Sequence, residues 1–383
     1  MGTDVVVIGA GVVGAACAYY LARAGAAVTI VDRATVAGGT SGRGEGNLLV
    51  SDKSPGPELS LALRSLSLWE SLDSTLDGSR YEYERKGGLV VAATAEGLAV
   101  LGSLAAEQKS AGVTATTGVE PRAYEPFLRP DLAGAVFYPQ DCQVQPMLAA
   151  AYLVQAAVAH GATLHPGCTV TGIRRASTAG GAIVAVETST GPIATDAVVN
   201  ASGTWASDVA KLVGLDLPIL PRRGFILVTE PLPEVVRHKV YAAEYVANVA
   251  SSASDLQTSA VIEGTRAGTV LIGSSRERVG FDASFPLPVL ARIAAQAVGL
   301  FPVLGGVHAL RAYRGFRPYT PDHLPVIGPD PRVPGLLHAC GHEGAGVGLA
   351  PATAELVTAA LTGSAPPVDP YPFRPSRFGA DDD

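Results

Sequence analysis

The chain opens on an apolar run, Val5 to Ile8, that breaks at Gly9, Gly11 and Gly14, passes into an Ala-rich stretch with helical spacing, and resumes after Gly25 as a second apolar run, Ala27 to Val31, ending on Asp32. That order predicts strand, tight turn, helix and strand. Further helices are predicted at 57–72, where Pro57 suits a first turn and Leu59, Leu63, Leu66 and Trp69 share one face, and at 95–111 and 146–160. Short apolar runs predict strands at 86–93, 134–139, 162–164, 170–174 and 182–187. The run Asp196 to Asn200 closes in Ala201-Ser202-Gly203-Thr204-Trp205, with a helix over 205–212, and brings the chain back to the first sheet. Between Leu217 and Ala312 the pattern changes to strands at 225–229, 259–262 and 269–273, the last two joined as a hairpin through Arg266-Ala267-Gly268, with a helix over 288–300. A strand at 335–339, a glycine-rich turn from Gly341 to Gly348 and a helix over 350–361 follow, and the Pro-rich, acidic stretch from Pro366 to Asp383 is expected to fray.

The first turn carries the clearest chemistry. Its glycines permit the turn, let backbone approach a pyrophosphate and let helix pack closely on strand, while the free N–H groups and dipole of the helix start favour an anion. Asp32 is placed to accept a hydrogen bond from a ribose hydroxyl. The motif specifies a dinucleotide without saying which. The loop Ala37 to Asn47, AGGTSGRGEGN, is either backbone lying against a ligand or a plain flexible loop, with Thr40, Ser41 and Asn47 as its polar candidates. A long cofactor with an ADP end and a bulky redox end accounts for this loop and for Gly341–Gly348 together, the alternative for the latter being a structural turn. A helix starting near Gly348 would favour the negative charge that a flavin gains near N1 on reduction.

Composition narrows the class. With 383 residues and 48% hydrophobic content the chain can bury a large core, and its net charge of −7 with no basic cluster argues against nucleic acid. Cys17, Cys142, Cys168 and Cys340 lack the spacing of a metal site or a disulfide framework, so no metal is expected and a reducing, cytoplasmic setting is. The apolar N-terminus has no basic flank and is broken by glycines, unlike a signal peptide. The stretch Met147 to Leu164 carries Gln155, His160 and Gly161 and suits a packed helix rather than a membrane span.

Taken together, DVVVIGAGVVGAACAYYLARAG, ASGTWA at 201–206, GSSRERVGFD at 273–282, RAYRGFRPYTPDHLPVIGP at 311–329 and GHEGAGVGLAPATAEL at 341–356 resemble the FAD-dependent D-amino-acid oxidase family, the group of glycine oxidase, sarcosine oxidase and the hydroxyproline and opine dehydrogenase β subunits. The resemblance covers roughly residues 3 to 365, and GRGEGNLLVSDKSPGPEL looks most like the dehydrogenase β branch. It implies an α/β fold: a Rossmann-like FAD-binding domain from 1–85, 140–215 and 313–365, an interleaved β-rich substrate domain from 86–139 and 216–312, and a tail, 366–383. It also implies oxidation of a small amino acid to the imino acid by hydride transfer to flavin N5, with a secondary or cyclic substrate such as D-hydroxyproline, proline or sarcosine. Arg317, in Gly315-Phe316-Arg317-Pro318, matches the family's bidentate carboxylate clamp, and the alternative for it is a salt bridge. Arg311 and Arg314 share the stretch.

Tyr241 and Tyr245 fall where related oxidases place pocket tyrosines, with core packing as the alternative. His342 sits in the turn expected near the flavin, either tuning the amine or flavin or simply hydrogen-bonded in its loop. The catalytic candidates are thus Arg317, Tyr245 and His342. Glu263 and Arg276 are expected to pair across the hairpin. The expected cofactor-binding set is Gly9, Gly11, Val13, Gly14, Asp32, Arg33, Thr40, Ser41, Gly46, Asn47, Val170, Ala201, Gly203, Trp205, Gly341, Gly344, Gly346, Val347 and Gly348. Where monomeric sarcosine oxidases carry the cysteine that binds flavin covalently, this chain has Gly315, so non-covalent FAD is expected. With no second dinucleotide fingerprint and no iron–sulfur cysteines, electrons pass either to oxygen, as in an oxidase releasing hydrogen peroxide, or to partner subunits. A non-catalytic FAD-binding assembly subunit is the reading from another class.

Overall fold

A computed structural model describes residues 3–178, 180–249 and 251–379. The first strand, Asp4–Ile8, lies in a six-stranded sheet ordered 326–329, 336–340, 197–200, 4–8, 27–32, 163–166. All its neighbours run parallel except Val326–Pro329, which returns antiparallel to Leu336–Cys340. The two faces of the first strand are sorted by its period of two. Val5 and Val7 pack into a helical layer with Ala15, Ala16, Ala150 and Ala354, while Val6 and Ile8 pack on the opposite side with Ile173, Ile183 and Val186. The helical layer is built from Val12–Arg23, Pro146–Ala159 and Gly346–Thr362. Its alanines let the backbones approach closely, which is why the helix Val12–Arg23 is buried from Val12 to Ala22 apart from Val13. A three-stranded antiparallel sheet, 170–175, 183–188 and 193–194, covers the other face.

The second sheet has eight strands, ordered 309–319, 220–229, 270–276, 257–264, 239–242, 88–92, 134–138, 116–119. Alternation again divides it: Leu89 and Val91 face the helix Leu287–Leu300, which presents Val289, Ile293, Ala297 and Leu300, whereas Val90 and Ala92 face the first unit. The expected hairpin forms, with Val261–Gly264 paired to Val270–Gly273.

The fold departs from the sequence expectations in several places. Strand Ala309–Tyr319 pairs with Leu220–Thr229 along its whole length, so the boundary expected at 313 falls inside a strand of the larger sheet. Its arginines at 311, 314 and 317 mask the apolar alternation that marks a strand. Lys239–Ala242, Ala243–Val249 and Thr116–Val119 are further elements without a clear periodic signal. Glu263 does not pair with Arg276: the hairpin register sets Glu263 opposite Leu271 and Arg276 opposite Gln257. The tail does not fray as far as Gly379, since Phe373 is buried and Arg377 pairs with Asp322 at 2.6 Å and donates to the Leu324 carbonyl. The rest of that stretch, 380–383, lies outside the described residues. Among the described residues no helix is long and apolar enough to cross a membrane.

Candidate active site

One elongated cavity runs between the two sheets, and it begins at the first glycine turn. Gly9 has φ +111°, and a Cβ there would stand 2.5 Å from the Ala201 carbonyl oxygen, so this turn and the 201–203 turn close against each other only with glycine present. The Asp32 carboxylate accepts the Ala10 and Ala34 N–H groups, each at 2.7 Å, and thereby fixes the turn and the loop that follows the third element. The helix Val12–Arg23 starts at Gly11, which has no side chain to cap it, and has no acid in its first turn; Ser41 Oγ accepts the Val12 N–H from another loop at 3.0 Å. Helix Gly346–Thr362 likewise opens on the cavity without a side-chain cap or an acid. Its start coincides with the glycine turn, so the expected start near Gly348 moves to Gly346.

Near the first turn the Arg33 guanidinium lies over the Trp205 ring at 4.0 Å, and Trp205 stacks on Phe281. At the middle, Thr40 and Thr204 both donate to the Phe316 carbonyl, at 2.8 and 2.7 Å. That knot brings strand Ala309–Tyr319, and with it Arg317, to the cavity wall. Ile226, Tyr245, Arg317, His342 and Glu343 line this far end. Arg317 Nη1 donates to the Ser275 carbonyl at 2.8 Å. Burial, and then the neighbouring Arg276, lower its proton affinity, yet a guanidinium stays charged at neutral pH. Tyr245 lies beneath the Arg276 guanidinium, 5.1 Å away, and burial raises the pKa of its phenol, which stays neutral. His342 Nε2 meets Thr353 Oγ1 at 2.9 Å, and burial pushes the imidazole down to about 3, so it is uncharged at neutral pH.

Of the expected site residues, Gly9, Gly11, Val13, Asp32, Arg33, Thr40, Ser41, Asn47, Val170, Ala201, Gly203, Trp205, Gly344, Gly346 and Val347 line the cavity together with Arg317, Tyr245 and His342. Gly14, Gly46, Gly341 and Gly348 do not. A Cβ on Gly14 would collide with the Gly9 carbonyl and one on Gly46 with the Val144 carbonyl, so these two are packing glycines. Gly341 has φ +76° and faces Thr320, and Gly348 gives its carbonyl to Ser65 and Trp69. Tyr241 belongs to the core: it meets Ser51, whose hydroxyl also binds the fully buried Asp141. Asp141 accepts the Val50 N–H at 2.8 Å, and burial pushes its carboxyl up to about 7. Arg276 donates to the Asn248 carbonyl at 2.8 Å instead of to Glu263.

Sequence reasoning missed Glu45, Ile226 and Glu343. Glu45 is the single acid of the GRGEGN loop, and that isolation among glycines is the signal that could have found it. Its Oε2 accepts from Asn47 Nδ2 at 3.3 Å, while its Oε1 and Asn47 Oδ1 are buried without a partner. Lys239 Nζ stands 3.9 Å from Glu45 Oε1 and 2.7 Å from Glu263 Oε2, and Glu263 also takes the Gly46 N–H.

These features fit FAD. Two helix starts with no acid in the first turn face one long cavity, and a glycine turn excludes Cβ atoms where a diphosphate needs backbone. Gly9, Gly11, Asp32 and Arg33 would hold the adenosine diphosphate end, and the 344–347 turn the flavin end.

Comparison with known proteins agrees. The chain is 31% identical to hydrogen cyanide synthase subunit HcnC of Pseudomonas aeruginosa over 98% of this chain and 96% of that one. It is 30% identical to glycine oxidase of Geobacillus kaustophilus, covering 98% and 97% of the two chains. The crystal structure of glycine oxidase from Geobacillus kaustophilus superposes with a TM-score of 0.88 at 28% identity over 99% of each chain. The DAO model, described as FAD dependent oxidoreductase, matches residues 4–360, and the chain belongs to this family of FAD-dependent oxidoreductases.

Proposed function

We propose that this flavoprotein oxidises the Cα–N bond of a small amino acid to the imino acid, with a secondary or cyclic substrate such as D-hydroxyproline, proline or sarcosine preferred. The observation that carries it is Arg317, a half-buried guanidinium on a cavity wall whose neighbours Tyr245, His342 and Ile226 are uncharged. Bound FAD supplies the two-electron acceptor for the hydride that leaves Cα. Arg317 holds the substrate carboxylate and so fixes Cα in one orientation. Ile226 and Tyr245 exclude water from that end, and neutral His342 adds no charge to repel an amine.

HcnC is named as a subunit, which favours partner chains as electron acceptors, whereas the glycine oxidases are named as oxidases. A cytoplasmic setting fits four free, buried cysteines. Anaerobic mixing with a panel of small primary, secondary and cyclic amino acids should bleach the oxidised flavin spectrum, and failure of every member would reject the substrate class. Peroxide release by the isolated chain in air separates an oxidase from a dehydrogenase subunit.

A further inference from the structure

We propose that Glu45 receives the substrate's amine, accepting its hydrogen bond and taking its proton before Cα is oxidised; this rests on the amino-acid reading above. Glu45 lines the same cavity as Arg317 and Tyr245 and is only 9% exposed. A buried carboxylate short of hydrogen bonds costs about 1–3 kcal/mol or more. Oε1 is enclosed against Gly273, and among the described residues the single hydrogen bond of the group is the Asn47 amide on Oε2 at 3.3 Å, so a carboxylate on this cavity wall has acceptor capacity left for a donor that arrives with the ligand. The protein even makes room for the carboxylate, because a Cβ on Gly273 would stand 2.5 Å from Oε1.

The charges around Glu45 point the same way. Lys239, on strand Lys239–Ala242, is committed to Glu263, on strand Gln257–Gly264, at 2.7 Å and stands off from Glu45 at 3.9 Å. From strand Ala309–Tyr319 come Arg317 and the phenol of Tyr313, from helix Ala243–Val249 the phenol of Tyr245, and from Glu45's own loop the Asn47 amide. Lys239 is neutralised by Glu263, and Arg317 is reserved for the substrate carboxylate. An ionised Glu45 therefore shares its one lysine with Glu263, which holds it more closely, and a substrate ammonium supplies a further counter-charge. A zwitterionic amino acid would then lie with its carboxylate on Arg317 and its nitrogen on Glu45.

The proton step balances within the pair. One N–H bond of the ammonium breaks, an O–H bond forms on Glu45, and the electron pair stays on nitrogen as the lone pair that an amine needs to release hydride from its Cα. Burial raises the proton affinity of Glu45 above that of an exposed glutamate, the direction a proton acceptor near neutral pH requires.

The test uses the full FAD-loaded chain carrying Glu45→Gln, with an amino acid that bleaches the wild-type flavin and with propionate, a carboxylate that lacks the amine. Loss of one hydrogen bond to a charged group predicts a KM for the amino acid raised by about tenfold or more. The propionate Kd, read from the flavin spectrum, should stay within about threefold, and the pH at which flavin reduction becomes fast should move up toward ionisation of the free amine. An unchanged KM and pH profile, or equal weakening of both ligands, overturns the assignment. Should Glu45→Gln fail to hold flavin, Glu45→Asp is read in the same assay: it keeps the carboxyl one methylene short, so selective weakening of the amino acid supports the role and equal weakening rejects it. If no amino acid bleaches the wild-type protein, the substrate class itself is at fault rather than Glu45.

Discussion

Arg317→Ala isolates the group proposed to hold the substrate carboxylate. In the structure one of its N–H groups is spent on the Ser275 carbonyl at 2.8 Å, leaving the others to form a two-point contact with a carboxylate. Each hydrogen bond between charged partners contributes about 1.5–3 kcal/mol, so loss of the pair should cost about 3–6 kcal/mol, or roughly two to four decades in kcat/KM. Most of this should appear in KM, because the carboxylate is gripped before and during the reaction alike. Stability should change by only about 1 kcal/mol, since the lost Ser275 bond is offset by relief of burial and of repulsion from Arg276. Arg317→Lys keeps the charge but not the planar fork and should fall between the two. The assay is stopped-flow flavin reduction under anaerobic conditions, with flavin content checked by absorbance. A KM within threefold of wild type for Arg317→Ala would remove Arg317 from the site.

Gly9→Ala should destabilise the protein by about 3 kcal/mol or more and weaken FAD retention, because φ +111° and the Ala201 carbonyl at 2.5 Å both oppose a Cβ, and flavin fluorescence released on mild heating reads the effect. Asp141 makes stability depend on pH: its carboxyl holds its proton in the folded state up to about 7, so between about pH 4 and 7 the folded chain binds the extra proton and stability falls as pH rises. Asp141→Asn should therefore gain on wild type by about 1.4 kcal/mol per pH unit across that window in urea unfolding, and parallel curves would contradict the buried protonated carboxyl. His342 acts oppositely, its depressed pKa removing stability as pH falls from about 6.5 toward 3, so wild type alone should show the two slopes partly cancelling. FAD should appear in the supernatant after acid precipitation: Gly315 offers no nucleophile, and burial pushes the Cys340 thiol on the cavity wall up to about 12. Flavin retained in the pellet would show a covalent bond.

The glycine fingerprint, its flanking strands and Asp32 were legible because each depends on neighbours in sequence: a tight turn needs Gly9 whatever surrounds it, and Val5 to Ile8 divide between two cores by their period of two. The place of Arg317 on the cavity wall was legible from its motif, as was that of Ala201, Gly203, Trp205 and the 344–347 turn, although Gly341 and Gly348 lie off it. The 309–319 strand was not, since its arginines replace the apolar alternation and its identity comes from pairing with Leu220–Thr229, ninety residues away. Glu263 and Arg276 show the same limit, for a hairpin is visible in sequence while its register, set by the 265–269 turn, decides who faces whom. Glu45 shows it most fully. The sequence by itself determined that a lone acid stands in a glycine loop beside a nucleotide fold, whereas only the tertiary structure decided that its oxygen is buried, that Lys239 is already taken by Glu263, and that Arg317 shares its cavity. The physical reason is that local backbone preference is written in adjacent residues, but charge balance in a buried site is a sum over strands distant in sequence, and no periodicity records that sum.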